Sequence, residues 1–141
     1  MSIPVWVLLG FAAWTLASLM ASIGVYRWSR ILTGRASISE WRADLPQGDE
    51  RYRRAMRAHQ NCVENLPVYT ALVVALTASG TGGPVVDGLA IAILAARVPH
   101  TVIHVALEQT EPVAAIRFGF FAVQVACMIG IGAIIVADAL G

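Results

Sequence analysis

The stretch Ile3–Tyr26, IPVWVLLGFAAWTLASLMASIGVY, carries no charged side chain over its whole length. About 20 apolar residues are enough for a helix to cross the hydrocarbon core of a bilayer. The run follows a Met-Ser-Ile-Pro start that lacks a basic residue. It is also longer than the roughly 7–15 apolar residues of a cleaved leader, so an uncleaved membrane span is expected. Three further stretches read the same way. Arg51 to Ser79 has no internal glycine, turns apolar after Leu66, and is stopped by Gly80-Thr-Gly-Gly-Pro84. Val85 to Leu107 is followed by the acidic Glu108-Gln-Thr-Glu111, and Pro112 suits the first turn of a last helix over Val113–Leu140. The expected spans are therefore about 3–26, 52–79, 85–107 and 113–140 in one domain covering 1–141. A polar loop over 27–50 is broken by Gly34, Pro46 and Gly48.

Composition supports this layout. Of 141 residues, 57% are hydrophobic and only 13% charged, and mean hydropathy is +0.68. Soluble domains carry about 25% charged residues, and a sphere of this size cannot bury so much apolar surface. A soluble globular domain and a disordered chain are both excluded. The fold class is all-α, an integral membrane four-helix bundle.

Net charge is +1, which suggests no nucleic-acid partner. All ten basic residues are arginine, and eight of them fall between Arg27 and Arg57. Most of that cluster reads as a cytoplasmic anchor, which places the first loop inside and both termini on the opposite side. Cys62 and Cys127 sit in apolar context, with no spacing for a disulfide framework or a zinc site.

Polar residues inside the spans follow helical spacing. Arg54, Arg57, Asn61 and Glu64 are separated by three, four and three residues, as on one helix face. Arg97, His100 and His104 do the same on the third span, and Arg117 opens the fourth. Three stripes at one depth predict a shared polar cavity. Glu64 could pair with Arg97 or Arg57, yet Arg57, Arg97 and Arg117 against one glutamate leave two positive charges over. An anionic ligand is the natural partner for that surplus. His100 and His104, with His59 or Glu64, have metal-ligand spacing, but three nearby arginines repel a divalent cation, so no metal is expected. Pro99, between Arg97 and His100, should kink the third span. Small residues along the first span (Gly10, Ala13, Ala17, Ala21 among them) permit close helix contact.

The string RAMRAHQNCVENLPVY, Arg54–Tyr69, resembles the second helix of the MAPEG family, the membrane-associated proteins in eicosanoid and glutathione metabolism. ARVPHTVIH, Ala96–His104, and RFGFF, Arg117–Phe121, look like that family's third- and fourth-helix patterns, with His104 where a tyrosine is common. The resemblance implies a homotrimer in membrane lipid, with glutathione as co-substrate held between neighbouring subunits. It implies that Arg57, Asn61, Glu64, Arg97 and His100 bind the tripeptide, with Arg54, His59 and His104 beside them. A first-helix arginine of the family aligns loosely with Arg35 or Arg30. Arg117 takes the place of the arginine credited with stabilising the thiolate. The implied activity is a glutathione transferase or peroxidase acting on lipophilic electrophiles or lipid hydroperoxides. A non-catalytic lipid-binding or scaffold protein of the same fold is the alternative.

Overall fold

The computed structural model describes residues 1–42, 45 and 47–141; the Pro46 breaker lies outside the described residues. Its order is α1 (Ile3–Leu19), a π-helical segment (Met20–Gly24), α2 (Val25–Leu32), a 3-10 turn (Ile38–Glu40), α3 (Glu50–Ser79), α4 (Pro84–Ala106) and α5 (Glu111–Leu140). Joined end to end, the first three make one continuous rod over Ile3–Leu32. With α3, α4 and α5 this gives four helices long and apolar enough to cross a membrane.

Each helix stops where local chemistry requires it. Asp49 caps α3 by accepting a hydrogen bond from the Tyr52 amide at 2.8 Å. Gly80 ends α3 with φ of +74°, a conformation a Cβ disfavours. Proline stands in the first turn of α1, α4 and α5, where no amide hydrogen is needed.

The first rod corrects the expected boundary. The helix does not stop near Tyr26 but continues to Leu32, so Arg27 and Arg30 lie on α2 rather than in a loop. Arginine is a good helix former, and its charge alone does not break a helix. The stop comes at Gly34, φ +70°. There the Gly34 amide reaches Ile31 O (3.1 Å) and the Arg35 amide reaches Arg30 O (2.8 Å), a Schellman pairing. Within the π-helical segment and the turns before it, Thr15, Ser18 and Ser22 each return a hydroxyl hydrogen to a carbonyl three or four residues earlier.

α4 is the central helix. It packs against α1, α3 and α5, and 39% of its membrane window is buried, against 22% for each of the other three. The main core joins Val7 and Phe11 of α1, Tyr69 and Val73 of α3, Ala90 and Ile93 of α4, and Met128 and Ile131 of α5. Gly10 permits the close approach of α1 to α4: a Cβ there would stand 2.8 Å from Leu94 Cδ2. Part of the small-residue stripe is thus used inside the subunit, while Ala13, Ala17 and Ala21 remain exposed. A smaller cluster of Ile23, Tyr52 and Ala55 closes the arginine-rich end. There Arg27 lies over Trp41 (5.5 Å) and Tyr52 (5.7 Å) and donates Nε to the Tyr52 hydroxyl at 2.7 Å.

The accessible surface is 8199 Å², above the roughly 7,000 Å² of a compact soluble chain of this mass. Trp6, Leu16, Val74, Ile91, Ile129 and Val136 are among the exposed large apolar side chains. A rod-shaped bundle with such a surface is suited to lipid and to neighbouring chains.

Candidate functional site

The polar stripe of α3 does not act as one face. Residues seven apart nearly coincide around a helix, whereas residues three apart are separated by about 60°. Arg54 and Asn61 therefore share one direction, and Arg57 and Glu64 another. The first pair turns inward, with Arg54 buried and Asn61 half-buried; the second pair is exposed.

On the inner side, Arg54 donates Nε to Val105 O at 3.3 Å, near the C-terminal end of α4. A cation there meets the negative end of the helix dipole. Further in, Arg97 is entirely enclosed. Its Nη1 donates to Asn61 Oδ1 at 2.5 Å and approaches His100 Nδ1 at 3.4 Å. Its guanidinium stands 5.0 Å from the Phe11 ring centre. Nε and Nη2 have no protein partner, and no carboxylate among the described residues pairs with it. Glu64, which could have paired with Arg97 or Arg57, forms an ion pair with neither. Glu64 points outward and accepts from Gln60 Nε2 at 3.1 Å.

Pro99 leaves α4 one unbroken helix over Pro84–Ala106, with Arg97 and His100 still in contact. Proline removes one hydrogen bond from a helix, and the packing of α4 against its neighbours sustains the others.

Around His104 the three stripes meet. Its ring lies edge-on to that of His100 at 5.9 Å, and both its nitrogens are buried without a protein partner. Arg54, Arg57 and Arg117 all lie within electrostatic reach of it, and Arg117 also of His100. The His100 ring also packs 6.3 Å from Phe121 of α5. This juxtaposition of three arginines and two histidines fits an anion. Among the described residues no three His, Cys, Asp or Glu side chains gather closely enough to hold a metal ion.

On the outer side of α3 runs an open groove of about 870 Å³, lined by Arg53, Arg57, His59, Gln60, Val63 and Glu64, with Leu45 and Gln47 also on its wall. Small-ligand sites span about 300–1,000 Å³. Arg57 belongs to both the groove and the cationic group, so the two are continuous. Arg30 and Arg35 stand apart: Arg30 lies over the Tyr26 ring at 4.5 Å, and Arg35 is exposed in the turn after α2.

The sequence leaves Gln124 and Thr101 unmarked, and marks Cys62 only as a cysteine in apolar context. Gln124 is fully enclosed, donates to Phe120 O at 2.9 Å and leaves its Oε1 unpartnered. Its spacing of seven from Arg117 was the available signal. Cys62 and Thr101, both buried, lie 3.6 Å apart beside Arg97. Their small size gave no signal at all.

One comparison with known proteins is positive: the model of the MAPEG family matches residues 4–137. No curated protein and no solved structure matches the chain.

Proposed function

The chain belongs to the MAPEG family, and from this we propose that it is a glutathione-dependent membrane transferase or peroxidase. The family includes glutathione transferases and peroxidases as well as members without catalysis. The observation that carries the enzymatic reading is the convergence of Arg54, Arg57 and Arg117 on His104, continuous with a groove in which Glu64 is the exposed carboxylate. Glutathione brings two carboxylates and one ammonium. The arginines match the carboxylates and Glu64 the ammonium. A free thiol titrates near about 8.5, and a fixed cation beside it favours the thiolate. Arg117 supplies that cation. The thiolate sulfur then bonds to an electrophilic carbon and the leaving group departs with its electron pair. A lipophilic electrophile reaches the site from the bilayer, across the exposed apolar face.

The groove is open on its outer side, and a second chain would wall it. We place this in a homotrimer whose neighbouring subunit covers the groove beside Arg57 and Glu64, while Arg57 and Arg117 of one chain flank the same His104. In this arrangement the arginine-rich end lies in the cytoplasm and both termini on the other side.

The test is the melting temperature of the detergent-solubilised protein with millimolar glutathione, followed by turnover with an aryl halide and a lipid hydroperoxide. A rise in melting temperature that Glu64→Ala abolishes is expected, because a ligand bound to the folded state alone stabilises it. No rise and no turnover would favour the non-catalytic alternative.

A further inference from the structure

Arg97 was a candidate ligand-binding residue, but it is sealed inside the subunit, behind the helix that carries the groove. What it touches is Asn61. We propose that Arg97 is a positioning residue that locks the Asn61 side-chain amide with its oxygen inward, so that its NH2 faces outward as a hydrogen-bond donor for an anionic or carbonyl oxygen of the ligand. The inference rests on the reading of the groove as a glutathione site.

The argument begins with donor and acceptor identities. A guanidinium has donors only, so the atom of Asn61 that meets Nη1 at 2.5 Å must be the carbonyl oxygen. An amide is planar, and fixing its oxygen turns its NH2 away from the guanidinium. Asn61 is half-buried, at the boundary between the enclosed Arg97 and the exposed Arg57 and Glu64. The amide is therefore held with its oxygen toward the core, while its nitrogen is not enclosed and lies one helical turn from Arg57 and Glu64, which line the groove. The Asn61 backbone carbonyl is occupied by Asn65 Nδ2 at 2.7 Å, which leaves the side chain free of that role.

The surroundings keep Arg97 available for this task. His100 Nδ1 at 3.4 Å, the Phe11 ring and the Cys62 thiol surround the guanidinium, Thr101 donates to the Arg97 backbone carbonyl, and none of them is a carboxylate. A buried cation without a counter-ion polarises its one short acceptor strongly. That polarisation makes the far NH2 a better donor to an anion. An acidic residue in place of Asn61 would serve Arg97 better and the ligand worse. Stability and binding thus pull in opposite directions at this position, and a purely structural contact would not produce that conflict.

The experiment measures ligand-free melting temperature and the glutathione concentration giving half the thermal shift, for Asn61→Asp, Arg97→Met and Arg97→Lys. Asn61→Asp should raise the ligand-free melting temperature, since it pairs the buried charge, while weakening glutathione binding at least tenfold. Arg97→Met, which frees the amide to rotate, should weaken binding about fivefold or more. Arg97→Lys, which keeps a donor-only cation, should restore most of it. A lower ligand-free melting temperature for Asn61→Asp overturns the inference whether or not glutathione binds. Wild-type affinity in Arg97→Met also overturns it. An absent shift in the wild-type chain instead counts against the glutathione reading, and the melting temperature of Asn61→Asp still judges the contact.

Discussion

Tyr69 donates its hydroxyl hydrogen to the carbonyl of Pro4 at 3.1 Å, joining the middle of α3 to the first turn of α1 across the apolar core. The Tyr69 ring is fully buried and lies 6.4 Å from that of Phe11. Tyr69→Phe keeps the ring and removes the bond. The expected loss is about 1–2 kcal/mol of stability, read as a lower melting temperature in detergent, with the concentration of glutathione for half the thermal shift unchanged.

Gly10 sits where a side chain would collide with Leu94. Gly10→Val should destabilise the bundle by about 1–3 kcal/mol through overpacking. The double variant Gly10→Val/Leu94→Ala should recover part of that loss. Additive loss in the double variant would show that the α1–α4 approach does not depend on this contact.

Mixtures of variants test whether Arg57 and Arg117 of one chain serve one site, as their common neighbour His104 suggests. Arg57→Ala and Arg117→Ala chains, each inactive alone, should stay inactive when allowed to exchange into mixed trimers. Recovery of binding on exchange would assign the two arginines to different subunits of a shared site.

If Arg117 stabilises the thiolate, the pH–rate profile for conjugation should rise at a pH below the free thiol's value of about 8.5. In Arg117→Met the rise should move up toward that value, because removing a cation favours the protonated thiol. An unchanged profile would assign the thiolate to another residue.

Reporter fusions test the sidedness. A reporter active only in the cytoplasm should be silent at either terminus and active when inserted near Ser37, in the arginine-rich connection. The opposite result would reverse the topology.

The four-helix architecture was legible because each run is long, apolar and bounded by glycine or proline. Gly80 and Pro112 end and begin helices where expected. The boundary near Tyr26 is not legible from polarity, because polar side chains do not end a helix, and this one persists until Gly34 makes a left-handed turn possible. The site was legible only in outline. Spacing by three and four puts Arg54, Arg57, Asn61 and Glu64 within one broad stripe, but the boundary of burial runs through it. Which half turns inward depends on how α3 packs against α4, and residue spacing within one helix carries no information about its neighbour's surface. Gln124 was missed for the converse reason, being a lone polar residue in an apolar helix whose partner surface was unknown.

The π-helical segment at Met20–Gly24 works as a gear between two ends of the same rod. Before it, Val7 and Phe11 mesh with the main core. Ile23 within it and Arg27 after it mesh with Tyr52 and its cluster. A π turn takes in one residue more than an α turn, and each residue advances a helix by about 100°. Deleting one residue from that segment would rotate every downstream side chain by that angle, turning the Arg27 guanidinium off Tyr52 and Trp41. Next to the join, the hydroxyls of Ser18 and Ser22 add a donor to the carbonyls of Thr15 and Ser18, where lipid would offer none. One rod can thereby answer to two differently oriented neighbours, and its arginines are aimed by an irregularity lying a turn or two away from them.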